Sequence, residues 1–511
     1  MSAAAEAGSR LREAEKRAWV RRTGRVGVPG NVEWKEALSP AEQERAGLTI
    51  ARRPTRTLSG VAVVAVMTAP TRCPHGTCTY CPGGVDARSP QSYTGEEPSA
   101  LRGAQFGYDP RAITEHRLAA LESIGHSTSK VEVIVMGGTF PSRPRSFQEG
   151  IFRGIFAGLN GVSSETLPQA HQLNESAARR CVGLTVETRP DWCDERVLPF
   201  LLDAGVTRLE MGVECLRDPV LAAVGRAHGT EEVVRATRAA KERGLKVGYH
   251  MMLGLPGMDP EKDAQDFERL FADPGFRPDF LKIYPTLVLP GTPLHADWSA
   301  GRYSPYEADT AAELLAKIKP RLPPWVRIHR IQRDIPARLI TAGVRAGNLR
   351  EKALALMAAR GQHCPCLRCR EAGRRSTPPF EALELFERSY DASGARELFL
   401  SFEERASDTV AGYLRLRIPD PDRPGAVPGP IIRELKVLGR EVGVGRTADG
   451  SVELQHRGLG RRLVERSSEL AREHGARTLF VTSAVGTREY YRHLGFEPSG
   501  PYQSRTLSAG G

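Results

Sequence analysis

No stretch of this chain is apolar for long enough to cross a bilayer, and its amino end has no charged-then-apolar leader of the secretory type. A helical membrane-spanning class is thereby excluded, and a cytoplasmic setting is expected. The nine cysteines do not spread out as the pairs of a disulfide framework. They gather at Cys73/Cys78/Cys81 and Cys364/Cys366/Cys369, with three singles. A reducing compartment keeps such thiols available for metals. Acidic charge is in deficit: 72 Lys and Arg oppose 61 Asp and Glu, a formal net charge of +11. That balance points to a polyanionic partner without saying which. What the chain does have is size and ordinary apolar content. Its 511 residues, 40% of them hydrophobic, exceed one compact core, so two or three domains are expected.

The apolar run Val61–Val66 reads as a buried strand. Just past it comes Cys73-Pro74-His75-Gly76-Thr77-Cys78-Thr79-Tyr80-Cys81-Pro82-Gly83-Gly84. Three thiolates on a loop can hold three irons of a 4Fe–4S cluster and leave the fourth iron free for another ligand. By themselves, Cys78 and Cys81 could equally be a redox pair or half of a zinc site. The third thiol at Cys73 and the glycines Gly83 and Gly84 favour the cluster.

Residues 1–50 are polar and charged, and Arg10–Arg25 reads as a basic amphipathic helix. It is either a solvated helix docked on the next domain or a clamp on nucleic-acid phosphates. From about Ala51 to Pro336, strand and helix patterns alternate. Strand-like runs are Val61–Val66, Val131–Met136, Val182–Glu187, Arg208–Val213, Val247–Leu253 and Phe280–Ile283. Helix-like segments such as Ile113–Ile124, Arg196–Ala204 and Thr230–Arg243 lie between them. Repeated βα units imply a parallel sheet, open or closed, with the active site at the carboxyl ends of its strands. Five charged or glycine-containing features fall at those ends: Gly137-Gly138-Thr139, Glu187-Thr188-Arg189-Pro190, Glu214, Gly254-Leu255-Pro256-Gly257 and Lys282-Ile283-Tyr284-Pro285. Singly each is turn chemistry. Five in register with a cysteine loop are hard to explain by turns. Lys130 precedes its strand, so by composition it reads as a solvated lysine at the opposite end.

In the connecting region 337–380, Cys364, Cys366 and Cys369 fall within six residues. They suit a small structural zinc site whose fourth ligand comes from elsewhere, since adjacent His363 is too strained to close it. The alternative is a set of reduced spectator thiols. After the linker-like Arg374–Pro379, strands are expected at Glu397–Glu403, Thr409–Ile418, Ile431–Val437 and Thr478–Ser483. The turn Gln455-His456-Arg457-Gly458-Leu459-Gly460-Arg461-Arg462 opens an amphipathic helix over Leu463–His474. A glycine turn at a helix start presents N–H groups to an anion, and a pyrophosphate fits. This spacing after a strand suggests coenzyme A. Tyr491, at the next helix, either touches the thioester or packs in the core.

These words, in this order, resemble Elp3, the catalytic-subunit family of Elongator, in its stand-alone prokaryotic form. The resemblance runs from about residue 50 to residue 505. Besides the cysteine loop it is carried by Gln91-Ser92-Tyr93-Thr94-Gly95, Val135-Met136-Gly137-Gly138-Thr139-Phe140 and Glu187-Thr188-Arg189-Pro190-Asp191. Further along come Lys282-Ile283-Tyr284-Pro285-Thr286, Gln332-Arg333-Asp334-Ile335-Pro336, Gly347-Asn348-Leu349-Arg350-Glu351 and Gly486-Thr487-Arg488-Glu489-Tyr490-Tyr491. It implies an α/β chain: a basic tRNA-binding segment over 1–50, a radical S-adenosylmethionine (SAM) partial barrel over 51–336, a zinc-binding linker over 337–380 and a GNAT-like acetyltransferase domain over 381–511. Cys73, Cys78 and Cys81 would ligate the 4Fe–4S cluster. The gap between Cys73 and Cys78 is wider than in most radical SAM enzymes but similar to prokaryotic members of the family. Gly137, Gly138 and Thr139 would line the SAM methionine. Lys130 is similar to the lysine with which the family holds acetyl-CoA, which replaces the solvated reading. Glu434, Leu435, Lys436 and Val437 match the strand that pairs with pantetheine. Leu459, Gly460 and Arg461 match the pyrophosphate loop, and Tyr491 the thioester tyrosine. Lys130, Lys282, Tyr284 and Tyr491 are the candidate catalytic residues.

The reaction so implied begins with one-electron cleavage of SAM. The resulting 5′-deoxyadenosyl radical takes a hydrogen from the acetyl methyl of acetyl-CoA. The acetyl radical adds to C5 of the wobble uridine of tRNA, a second oxidation restores the ring, and water cleaves the thioester to leave 5-carboxymethyluridine. The protein positions its cofactors and excludes water, and no other Elongator subunit is expected to be needed. Two other readings stay open. One is a protein lysine acetyltransferase with a structural cluster and Glu434 as base. The other is a non-catalytic tRNA-binding protein.

Overall fold

A computed structural model describes residues 18–23, 34, 38, 60–375, 377–420, 422–439, 454 and 457–508. Most of the basic helix expected over Arg10–Arg25 lies outside the described residues. Residues 18–23 are helical, and Trp19 packs with Trp34 and Leu38.

Seven strands form the first sheet in chain order: β1 (Val61–Met67), β2 (Lys130–Met136), β3 (Arg180–Thr188), β4 (Arg208–Glu214), β5 (Lys246–Leu253), β6 (Phe280–Pro285) and β7 (Arg327–Ile331). Every neighbouring pair is parallel, and β1 and β7 are the edges of an open half-barrel. The two faces differ sharply. On β2, Val131, Val133 and Val135 are fully buried beneath helices, while Lys130, Glu132, Ile134 and Met136 turn to the concave side. The helix Arg145–Asn160 explains the covering: Ile151, Phe152, Ile155, Phe156 and Leu159 make one apolar stripe at helical spacing. Burial of such side chains contributes roughly 1.5–3 kcal/mol each. The concave face is polar instead. Pairing register sets Glu187 beside Glu210, and sets Gly212, His250, Lys282 and Arg330 side by side.

The second sheet runs in the order β13-β14-β12-β11-β10-β9-β8. Its strands are β8 (Glu384–Ala392), β9 (Ala395–Glu404), β10 (Thr409–Ile418), β11 (Ile431–Val437), β12 (Thr478–Val481), β13 (Glu497–Ser499) and β14 (Tyr502–Thr506). All its named pairs are antiparallel except β11 with β12. The helix Leu459–Glu473 packs across β9 to β12. Between the sheets, the stretch 337–380 carries the helix Leu349–Ala359. Leu349, Ala353, Met357, Cys364 and Cys366 join the first sheet's core. No helix among the described residues is long and apolar enough to cross a membrane.

The second sheet docks on the amino ends of the first sheet's strands through buried charge. Arg433 forks onto Asp279 at 2.7 and 2.8 Å and reaches Glu397 at 2.7 Å. Its guanidinium also donates to the Leu245 carbonyl at 3.0 Å. Arg415 pairs with Glu434 at 2.9 Å and donates to the Trp325 carbonyl at 2.7 Å. Burial alone would raise these carboxyl groups, but the surrounding cations win. They hold Asp279 and Glu397 below the usual range, and Glu434 at about 2.

Removing one partner of a buried pair strands the other, so Arg433→Ala is expected to destabilise the fold by about 3–5 kcal/mol in denaturant titration. The depressed carboxyl pKa values stabilise the fold at neutral pH. That contribution is lost as pH falls from about 4.5 towards about 2. Thermal melting across this window should show the wild-type midpoint dropping with acid, less steeply in Glu434→Gln.

Candidate active site

Cys73, Cys78 and Cys81 line one cleft at the carboxyl ends of the first sheet, together with Gly138, Thr139, Glu187, Arg189, Glu210 and Tyr284. Tight turns shape the loop: Gly76 N–H donates to the Cys73 carbonyl at 3.1 Å, and Cys81 N–H to that of Cys78 at 3.0 Å. Gly83 and Gly137 hold positive φ of 80° and 123°. A side chain on Gly83 would run into the Tyr93 carbonyl, and one on Gly137 into the Thr68 hydroxyl. Both positions therefore require glycine. Polar groups converge on the sulfurs. The Gln91 amide donates to Cys81 Sγ at 3.2 Å, the Thr139 hydroxyl lies 3.7 Å from Cys73 Sγ, and Arg226 lies 3.8 Å from Cys78 Sγ.

Burial pushes the Cys78 thiol up to about 11 against the opposing Arg226, and raises Cys73 against its bond to Thr139. Burial and the guanidiniums of Arg226 and Arg189 keep His228 neutral, with its pKa at about 3. Three soft donors, hydrogen-bonded and set in a positive field, are a fitting ligand set for an iron–sulfur group. Ser92 and Glu214, both lining the cleft, hold φ of 73°. Left-handed backbone at residues other than glycine concentrates where the surroundings force it, as at functional sites.

The cleft floor is ionic. The Lys282 ammonium contacts Glu210 and lies 3.7 Å from Glu187. His250 Nε2 meets Glu210 Oε2 at 3.1 Å, and the Tyr93 hydroxyl donates to Glu187 at 3.0 Å. Glu187, Glu210 and His250 each offer a ligand atom within 4.8 Å of the others, but the two carboxylates already share the Lys282 ammonium. Lys282 and Tyr284 thus stand where the strand-end pattern expects them. Glu210, His250 and Arg226 were not singled out from sequence. The available signal was a charged residue in phase with the strand repeat inside an apolar run, as in Leu209-Glu210-Met211 and Tyr249-His250-Met251.

Lys130 stands at the other end of β2, away from the cysteines. Two residues on, Glu132 binds Arg208 at 3.2 Å and Lys436 of β11 at 3.0 Å. The residues Glu434, Leu435, Lys436 and Val437 form the end of β11. Among the described residues, that strand pairs with β12 only at Ile431 and Ile432. From Arg433 onward no described strand pairs with its β12-facing edge, which can take an extended amide-bearing ligand. Leu459, Gly460 and Arg461 form the first turn of the helix Leu459–Glu473, which starts four residues earlier than expected. Gln455 and His456 lie outside the described residues. Tyr491 is buried, within the electrostatic reach of Glu434.

The sulfurs of Cys364, Cys366 and Cys369 converge within 4.8 Å of one another. The buried Lys319 ammonium lies 3.7 Å from Cys369 Sγ, and His363 is exposed outside the group.

Comparison with known proteins matches this architecture. The Radical SAM superfamily model covers residues 67–270, the Radical_SAM C-terminal domain model 278–358, and the Acetyltransferase (GNAT) family model 367–496. A tRNA uridine(34) acetyltransferase of Methanocaldococcus jannaschii is 42% identical over 493 residues, covering 94% of this chain and 91% of its own. One of Dehalococcoides mccartyi is 46% identical, covering 89% of this chain and 99% of its own. Elongator complex protein 3 of Homo sapiens is 42% identical, covering 89% and 86%. The solved structure of Methanocaldococcus infernus Elp3 lacking residues 1–46 superposes with a TM-score of 0.78 at 38% identity, over 88% of this chain and all of that one.

The Gly83→Ala variant should displace the Tyr93 segment, costing about 1–3 kcal/mol. Urea unfolding checks the loss, and Gly76→Ala, where a Cβ meets open space, should cost less.

Proposed function

Because this chain belongs to the family of tRNA uridine(34) acetyltransferases and Elongator complex protein 3, we propose that it builds 5-carboxymethyluridine at the wobble position, U34, of tRNA from acetyl-CoA. The observation that carries the reading is a single cleft lined by three thiols and by Glu187 and Glu210, whose carboxylates hold the buried Lys282 ammonium. A 4Fe–4S cluster held by Cys73, Cys78 and Cys81, with SAM, supplies one-electron radical chemistry when bound. Gly137, Gly138 and Thr139 receive the SAM methionine where the end of β2 meets Cys73. Lys282 and Tyr284 position the uridine at the floor.

At the opposite strand ends, the open edge of β11 at Glu434, Leu435, Lys436 and Val437 pairs with pantetheine. The first-turn amides at Leu459, Gly460 and Arg461 take the pyrophosphate. Lys130 and Tyr491 hold acetyl-CoA at this entrance, and its acetyl group has to pass along the concave face to the cleft for the radical step. The convergence of Cys364, Cys366 and Cys369 supports a structural zinc, for which Lys319 leaves the fourth ligand to come from elsewhere. The basic segment 1–50 and the net positive charge serve tRNA phosphates. The chain acts in the cytoplasm without other Elongator subunits, a reading supported by its near end-to-end match to the tRNA uridine(34) acetyltransferases of Methanocaldococcus jannaschii and Dehalococcoides mccartyi, whose names carry no complex. Lysine acetylation by the second sheet alone would leave the ionic floor without use.

Mass analysis of wobble nucleosides after anaerobic incubation with SAM, acetyl-CoA and tRNA tests the reading. Modified uridine should form only with SAM present. Cys78→Ala should abolish it while tRNA binding survives; equal activity in that variant contradicts the proposal.

A further inference from the structure

The Glu210 carboxylate is fully buried on the cleft floor, and its two oxygens differ. Oε2 takes the Lys282 ammonium and, at 3.1 Å, the imidazole of His250. Oε1 is buried with no hydrogen-bond partner. An unpaired buried carboxylate oxygen is costly, and native structures keep such a group for a ligand, an ion or a water. An ion is already supplied from within the chain, since Lys282 stands between Glu210 and Glu187. The Glu210 carboxylate outweighs burial and holds that ammonium charged.

Glu210 is one of the cleft's lining residues, so the floor holds an unpaired acceptor with a cation at its side. Tyr284 stands edge-on to His250, its ring centroid 5.6 Å away, and adds an aromatic wall. Uracil carries the complementary edge: one N–H donor between two carbonyl acceptors. Cytosine carries a lone pair at the same ring nitrogen, which would face the carboxylate. A base splayed from its stack can be read in this way.

We propose that Glu210 Oε1 accepts the N3–H of the target uracil while the Lys282 ammonium faces a neighbouring ring carbonyl, so that Glu210 selects uridine at the wobble position. The inference rests on the wobble-uridine reading above and names the residue that enforces it.

The test uses the full chain, reconstituted anaerobically, and two anticodon stem-loops that differ only in U34 or C34. The ratio of their dissociation constants on one protein is independent of how much of that protein is folded. Wild type should favour U34 by about ten- to hundredfold. In Glu210→Gln the amide can donate as well as accept, so the preference should fall to within about threefold. Equal affinity of wild type for the two loops, or an unchanged preference in the variant, overturns the proposal; the latter would mean that a water satisfies Oε1. A wild-type preference for U34 without any SAM-dependent modification would instead sink the proposed reaction and leave the recognition standing.

Discussion

The Asp279 carboxylate, clasped by Arg433, is the joint on which the two halves of this protein depend. Asp279 sits at the entrance to β6, and its groups reach in four directions. Its backbone N–H donates to the Val247 carbonyl at 2.8 Å, and its side chain accepts from the Val247 N–H at 2.9 Å. Its carbonyl accepts from the Arg327 N–H at 3.2 Å and from Arg415 at 3.3 Å. Its carboxylate takes the fork of Arg433. One residue thereby ties β5, β6 and β7 to β10 and β11. Glu397 closes the array by accepting from both Arg433 and Arg417. Such an array adds little net stability over an apolar joint of equal volume, but any single loss is severe. Its value lies in directionality, since forked ion pairs accept one relative placement of two sheets where apolar surfaces would tolerate several.

That placement aligns a charged interior. The concave face of the half-barrel is lined from end to end by paired ions: Glu132 with Arg208 and Lys436, then Glu210 with Lys282, beside the His250 imidazole. Phe280 lies between these levels, stacked on His329 at 4.3 Å and beneath the Arg208 guanidinium. The convex face carries the apolar packing that offsets the desolvation of these charges. The half-barrel thus separates holding the fold together from doing chemistry.

Much of this was legible in the sequence because it is local. Apolar runs bounded by turns marked six of the seven parallel strands, and the motifs at their carboxyl ends fell where parallel sheets place active sites. β7 escaped because Arg327-Ile328-His329-Arg330-Ile331 is short and strongly polar. β8 escaped because an edge strand such as Glu384–Ala392 is largely exposed and charged. The helix start at Leu459 was placed late because the amphipathic pattern becomes clear only further on. Glu210, His250 and Arg208 were hidden for a deeper reason. A charge inside a strand pattern looks the same whether it faces water or the inside of a barrel, and only curvature and closure by the second sheet decide. The open edge of β11 was likewise beyond periodicity, since it depends on where β12 parts company with it.

The cysteine cleft lies at the carboxyl ends of the first sheet's strands, and the end of β11 meets their amino ends, where Lys436 reaches Glu132. On the proposed reaction, the nucleic acid and the acyl carrier would then come from different sides, and neither would have to leave before the other could load.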